Sequence, residues 1–226
     1  MRPYIVLGLI CCILLLSGGI AYTLELERKP VVQHHLATGN TKALLQFYAQ
    51  PEPQLAGRPL LGQATAPITI IAYLEPGTAT TQQFLTETLP QLEAAYITPG
   101  RARFYYKQYL TNDAYTAAGD AYQQARTLLC AWQLVPGSFF ALQGSGDEAL
   151  KMFTDHGQVA ALDACLAAAE PMLSQDVSEV EHLGMIGIAP RLYIGIDGKD
   201  ATSVDGIPSF AILQQTIRQY EVQLGE

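Results

Sequence analysis

Cationic residues are scarce in this chain. Its 226 residues include only 13 lysines and arginines against 21 aspartates and glutamates, so the formal net charge is −8. The longest basic run is Arg28-Lys29. Nucleic acids and anionic lipids are bound through basic patches that attract phosphate. The composition therefore argues against a nucleic-acid-binding protein and against recognition of anionic lipid headgroups.

Clusters of metal ligands are also missing from the sequence. The adjacent His34-His35 pair is not accompanied by cysteine, histidine or carboxylate groups at the spacing of a metal site. We interpret this pair as part of a solvated linker, and we predict neither a metal nor another cofactor.

Cysteine is rare, with four residues in the whole chain. Cys11 and Cys12 lie in an apolar N-terminal run, where we interpret them as small lipid-facing or helix-packing residues, and no lipobox accompanies them. The remaining pair is Cys130 and Cys165. An even pair in an exported protein suggests one disulfide. A structural bridge is preferred, and free buried thiols or a redox pair are the alternatives.

Residues 4–22 form an uncharged apolar run. As a helix these residues would extend roughly 28 Å, close to the hydrocarbon thickness of a bilayer. Arg2 precedes the run and Glu25 follows it, so the positive-inside bias places the following domain outside the cytoplasm. We predict a transmembrane anchor over residues 1–23. A signal peptide cleaved near residues 19–21 is the alternative, and it would also export the domain.

A tether and one globular domain are expected after this segment. Hydrophobic residues make up 49% of the chain and charged residues 15%, which is typical of a packed protein. We assign residues 24–58 to an extracytoplasmic tether, in which residues 40–48 favour a short helix. Residues 59–226 are long enough for one well-buried domain.

The first half of the predicted domain is a strand–helix–strand unit. Residues 68–74 (ITIIAYL) are apolar and β-branched, as in a strand buried on both faces. Residues 78–96 carry apolar side chains at helical spacing, and Thr80 with Gln83 predicts a capping box. A second strand is expected over residues 101–109, parallel to the first.

The second half predicts a block of helices followed by a hairpin and a last helix. Helices are expected over 113–170 and 174–183, strands over Arg191–Ile196 and Ala201–Val204 around Asp197-Gly198, and a helix over 209–224. This order corresponds to two halves of an α/β thioredoxin fold that enclose a helical insertion at about residues 113–173.

Several segments resemble the DsbA-like branch of the thioredoxin superfamily. Leu61-Gly62 and Ala66-Pro67 lead into the first core strand, and LPQL at 89–92 continues the following helix. Residues 183–190 (LGMIGIAP) resemble the LGV-x-G-T-P segment of that branch, in which the proline follows a cis peptide bond. Cys130-Ala131 and the surroundings of Cys165 also resemble positions in that branch. The resemblance covers about residues 59–224.

The sequence departs from this family at the positions expected to hold Cys-x-x-Cys, which are Thr78-Ala79-Thr80-Thr81. A thiolate attacks disulfides because its pKa can be lowered at a helix N-terminus and because sulfur is a good nucleophile. A threonine hydroxyl cannot form a mixed disulfide. We expect Thr78 and Thr81 to cap and pack the helix. A threonine nucleophile is the alternative, but no base accompanies it.

Ala189-Pro190 is the second candidate site. The resemblance implies a cis proline that faces the helix N-terminus, with adjacent backbone able to pair with an extended peptide. A groove beside Thr78–Thr81 that binds chain without exchanging disulfides is one interpretation, and a proline needed only for the fold is the other. We expect Glu75 to be a turn residue near the surface and not a buried acid.

Three functions follow from these observations. The preferred one is a redox-inactive, membrane-anchored module that binds a peptide or a partner subunit. The second is a thiol–disulfide oxidoreductase that works through Cys130/Cys165 or a partner's thiol. The third is a structural subunit of a membrane complex.

Overall fold

The computed structural model describes residues 53–225, except 186, 188 and 198–200. The predicted anchor, Cys11 and Cys12, the His34-His35 pair, the helix at 40–48 and Gly198 of the hairpin turn lie outside these residues. Within the described part of the chain, no helix is long and apolar enough to cross a membrane.

Five strands of the described residues form one mixed sheet. They are β1 (Leu60–Leu61), β2 (Ile68–Leu74), β3 (Ala102–Gln108), β4 (Arg191–Ile196) and β5 (Ala201–Asp205), in the order β1-β3-β2-β4-β5. β2 and β3 are parallel and the other pairs are antiparallel. All seven residues of the central strand β2 are buried, as its continuous apolar run predicts. The two-residue strand β1 is too short to leave a sequence pattern.

Helix α1 covers residues 79–97 and connects β2 to β3. It is α-helical at Ala79–Gln83 and Leu89–Leu92 and π-helical at Phe84–Thr88 and Glu93–Ile97. The predicted strand–helix–strand unit is therefore confirmed.

Four helices and a 3₁₀ turn build the predicted insertion. They are α2 (Asn112–Ala117), α3 (Asp120–Leu134), the turn Pro136–Leu142, α4 (Gly146–Asp155) and α5 (Val159–Ala168). Helices α6 (Glu170–His182) and α7 (Phe210–Leu224) follow. Helix α6 begins four residues before the predicted start, because Pro171 lies in its first turn, where the N–H that proline lacks would be unpaired in any case.

The Cys130–Cys165 disulfide joins α3 to α5, with the two Cα atoms 5.8 Å apart. Cys130 is fully buried and Cys165 is 9% exposed. This pairing confirms the expected bridge. The bridge closes a separation of 35 residues, and in the chain-entropy model a loop of that size stabilises the fold by about 3–4 kcal/mol.

The two faces of the sheet bury different groups. The main core includes Ile70 and Ala72 of β2 together with Phe104 of β3. A smaller apolar cluster on the other side contains Ile71 and Tyr73. The alternation follows from the two-residue period of a strand.

A buried ionic cluster lies beside the smaller apolar cluster. The Lys107 ammonium of β3 contacts Asp176 at 3.1 Å and also pairs with Glu179, both on α6. Arg58 contacts Asp176 at 2.9 Å. The side chains of Arg58, Lys107 and Asp176 are at most 1% exposed. Burial raises the pKa of Asp176, although Lys107 and Arg58 act in the opposite direction. Two cations and two carboxylates balance the charge of the cluster.

The same cluster holds the segment that precedes β1. The Gln54 N–H donates to Glu179 at 3.1 Å, and the Gln54 carbonyl accepts from Lys107 at 3.2 Å. Arg58 donates to the Met172 carbonyl at 3.0 Å. The sequence assigned residues 24–58 to the tether, but residues 54–58 belong to the folded unit. Their partners lie far away in the chain, so no local pattern indicates the contact.

Replacing Lys107 with Met tests the importance of the cluster. The variant leaves the buried Asp176 and the partly buried Glu179 with one cation fewer, so the free energy of unfolding should fall by about 3–5 kcal/mol. The matched control is Lys151→Met on α4, the same substitution at an exposed lysine that forms no ion pair with a described residue. That change should cost less than about 1 kcal/mol. Urea unfolding of both variants measures the difference, and equal losses would contradict the interpretation.

Candidate functional site

Thr78 begins helix α1 as its N-cap residue. Its backbone is extended, its Oγ1 accepts from the Thr81 N–H at 3.2 Å, and its hydroxyl donates to the Glu75 carbonyl at 3.1 Å. The expected capping box of Thr80 and Gln83 is wrong, because the helix starts at Ala79 and both residues therefore already lie within it. Glu75 is half-buried in the turn.

Thr81 differs from Thr78 in its surroundings. It is 1% exposed, and its hydroxyl has no hydrogen-bond partner among the described residues. The chain of the insertion passes directly over it at Gly144. A Cβ atom at Gly144 would lie 2.8 Å from Thr81 Cγ2 and 3.1 Å from Leu85 Cδ1, and the φ angle of +72° also favours glycine. The Gly77 N–H donates to the Gly144 carbonyl at 2.8 Å.

The N-terminus of α1 therefore has a closed side and an open side. Thr81 faces the insertion and is sealed by Gly144, whereas Ala79 and Thr80 are exposed and Thr78 is half-buried. A molecule that approaches this helix end from solvent meets small, uncharged side chains.

Pro190 precedes β4, and the Ala189–Pro190 peptide bond is cis. The proline is buried and Ala189 is half-buried. The Pro190 carbonyl accepts from the Gly206 N–H at 2.8 Å, and Arg191 forms a two-point ion pair with Asp205. No described residue forms a hydrogen bond with the backbone of Ala189.

The sheet register brings the two candidate segments to the same end of the sheet. Tyr73 of β2 is paired with Arg191 of β4. Leu74 is the last residue of β2, and Pro190 immediately precedes Arg191, so both lie at the adjoining ends of neighbouring antiparallel strands. Four residues after Leu74 the chain reaches Thr78. This register agrees with the predicted proximity of the two segments, which stays a prediction.

Sequence reasoning missed Tyr109, which follows the end of β3. Its hydroxyl donates to the Met185 carbonyl at 2.9 Å and accepts from the Gly187 N–H at 2.8 Å. Aromatic residues are frequent in β3, so nothing in the sequence distinguishes this tyrosine from its neighbours.

Metal chemistry has no support in the described part of the chain, since no group of three or more His, Cys, Asp or Glu side chains there could hold an ion. The two disulfide cysteines lie in the insertion and not at the start of α1. The groups that the structure brings together at the site are hydroxyls and backbone amides.

Solved structures of DsbA proteins have a similar architecture. Alpha-DsbA1 from Wolbachia pipientis matches with a TM-score of 0.59 and 15% identity, over 75% of this chain and 94% of that chain. Chlamydia trachomatis DsbA matches with a TM-score of 0.56 and 16% identity, over 77% and 97%. The thiol-disulfide exchange protein alpha-DsbA2 from W. pipientis matches with a TM-score of 0.56 and 18% identity, over 79% and 95%.

The chain has a DsbA-like thioredoxin fold. It carries the helical insertion of these structures, and likenesses at 15–18% identity establish the fold alone. No protein-family model matches the chain, and no curated protein matches it.

The different surroundings of Thr78 and Thr81 predict opposite effects of the same substitution. Thr78→Val removes the N-cap acceptor and should lower the free energy of unfolding by about 1 kcal/mol. Thr81→Val has nearly the same shape and removes a buried hydroxyl without a partner, so it should raise stability by about 1 kcal/mol. Urea denaturation midpoints report both changes, with each variant serving as the control for the other. A loss of stability in Thr81→Val would show that its hydroxyl does form a hydrogen bond.

Proposed function

We propose that this protein is a redox-inactive DsbA-like module, anchored in a membrane through residues 4–22, that binds an extended segment of a partner outside the cytoplasm. One observation carries the proposal: the helix start that the resemblance assigns to Cys-x-x-Cys holds Thr78, Ala79, Thr80 and Thr81, and a cis proline lies at the same end of the sheet. The fold resembles that of disulfide-exchange proteins, but the reacting sulfur atoms are replaced.

The state of the hydroxyls supports the redox-inactive part of the proposal. The Thr78 hydroxyl is engaged with Glu75 and with the helix backbone, and the Thr81 hydroxyl is buried under Gly144. Disulfide exchange requires an accessible thiolate and a sulfur that can be attacked. The Cys130–Cys165 bridge is a poor substitute because its Cys130 sulfur is fully buried between helices.

The open side of the site supports the binding part of the proposal. The Ala189 backbone has no hydrogen-bond partner among the described residues, and an extended peptide beside it could supply one. Thr78, Ala79 and Thr80 add no charge. Such a surface favours recognition of a partner's main chain over recognition of charged side chains. A disulfide in the domain agrees with an oxidising compartment.

Introducing cysteine at two positions tests two points: whether the backbone of the site still supports disulfide exchange, and whether the parent chain lacks that activity. The full chain in detergent, with Cys11→Ser and Cys12→Ser to remove other thiols, should not accelerate the reduction of insulin by dithiothreitol. Adding Thr78→Cys and Thr81→Cys should raise the rate about tenfold or more, because a cysteine at a helix N-terminus has a lowered pKa.

The matched control for this gain of activity is Thr80→Cys with Gln83→Cys. This pair has the same spacing, and both positions are exposed within the first turns of the helix. The pair at 78 and 81, in contrast, starts at the N-cap residue itself. It should give no more than the background rate. Turnover by the parent chain that disappears with Cys130→Ser would instead favour an oxidoreductase that uses the insertion disulfide.

Site-specific crosslinking tests the binding part of the proposal. A photoreactive amino acid at Thr80 of the full chain, in its native membrane, should capture one dominant partner, and mass spectrometry should map the adduct to an extended segment of that partner. The same group at Gln82, also exposed but roughly 200° further round the helix, is the control. Identical products at both positions, or no product above background at Thr80, would contradict the proposal.

A further inference from the structure

Tyr109 lies at the edge of the candidate site without facing the open side of α1. It directly follows β3, and its N–H donates to the Leu74 carbonyl at 2.9 Å, which extends the pairing of β3 with β2 by one residue. Only 4% of Tyr109 is exposed, and its ring packs in the smaller apolar cluster with Val180 and Met185. The backbone of Tyr109 is therefore held by a hydrogen bond and its ring by packing.

Both hydrogen-bonding functions of the Tyr109 hydroxyl are directed at a single segment of backbone. It donates to the Met185 carbonyl and accepts from the Gly187 N–H. This segment ends two residues before the cis Ala189–Pro190 bond. The hydroxyl thus links two backbone groups of the turn that connects α6 to the candidate site.

The Met185 end of the turn is also held by a hydrogen bond from its N–H to the Val180 carbonyl at 3.0 Å, whereas the Gly187 end has few other restraints among the described residues. Gly187 has a φ angle of +75°, and a Cβ atom there would meet nothing within 4 Å, so packing does not hold it. Its amide has one hydrogen bond to a described residue, the one to Tyr109. On the other side of the proline the chain is held independently, through the Gly206 N–H and the Arg191–Asp205 ion pair.

We infer that Tyr109 is a positioning residue for peptide binding: through its hydroxyl it holds the backbone of Met185 and Gly187 so that the free backbone of Ala189 faces the incoming chain. The inference rests on the proposed function, since it assigns to Tyr109 a part in that same site. Tyr109 touches no reacting or bound group itself and acts through the turn.

The test uses a reporter thiol at the open side of α1. The full chain carries Thr78→Cys, with Cys11→Ser and Cys12→Ser, in detergent. The probe is a ten-residue uncharged peptide whose one cysteine bears a thionitrobenzoate group. The thiolate introduced at position 78 attacks the peptide sulfur, a protein–peptide disulfide forms, and thionitrobenzoate leaves as a coloured thiolate. Glutathione bearing the same group is the small probe that needs no extended groove.

Removing the Tyr109 hydroxyl should affect the two probes differently. Tyr109→Phe should slow the reaction with the peptide about three- to tenfold, the worth of one or two hydrogen bonds, and leave the reaction with the glutathione probe unchanged. The control is Tyr105→Phe, on β3 and packed against the same apolar cluster, whose hydroxyl forms no hydrogen bond with a described residue. Tyr105→Phe should change neither rate.

Amide hydrogen exchange separates this inference from the proposed function. The Gly187 amide should exchange faster in Tyr109→Phe and remain protected in Tyr105→Phe. If the parent reporter does not prefer the peptide over the glutathione probe, the proposed peptide groove is wrong, and Gly187 exchange still decides whether Tyr109 holds the turn. Unchanged Gly187 exchange in Tyr109→Phe, or equal slowing of both probes, would overturn the assignment.

Discussion

The antiparallel pairing of β2 with β4 is the constraint on which the candidate site depends. Because Tyr73 lies opposite Arg191, the end of β2 and the start of β4 share one edge of the sheet. The turn that follows β2 delivers the N-cap of α1, and the residue before β4 is the cis proline. A shift of this register by one residue would turn every core side chain of one strand towards the other face. The buried apolar groups of β2 therefore fix the geometry of the site through this register.

The last register row that crosses four strands of the sheet links that site to the rest of the domain. Lys107, Tyr73, Arg191 and Asp205 are successive cross-strand partners in this row. Lys107 is paired with α6, and Arg191 is paired with Asp205. At one end of the row, Lys107 binds the segment before β1. At the other end, the Arg191–Asp205 pair holds β4, the strand that follows the proline. Removing one member of a buried ion pair is costly, so the Lys107 end of the row resists rearrangement.

The sequence was most informative where a short stretch of chain determines its own structure. The apolar run at 68–74 and the hairpin around Asp197 were predicted with nearly the right boundaries, because burial and turn chemistry are local properties. The capping box failed since several threonines near the start of α1 could each cap it, and only the path of the preceding turn selects Thr78. Tyr109 and Arg58 were missed for a different reason: they bond to backbone carbonyls 76 and 114 residues away, and no periodicity records such pairs.

The different hydrogen bonding of Thr78 and Thr81 indicates which kind of side chain suits each of the two positions. A residue chosen for its hydroxyl should use that hydroxyl, as Thr78 does with the helix backbone and the Glu75 carbonyl. Thr81 contributes only packing. Its side chain fills the space beneath Gly144, and its hydroxyl oxygen has no hydrogen-bond partner among the described residues. A thiol would fit such a position at little cost, because sulfur is a weak donor and a weak acceptor and behaves as a small apolar group. The surroundings of Thr81 therefore suit a sulfur atom better than the oxygen they contain.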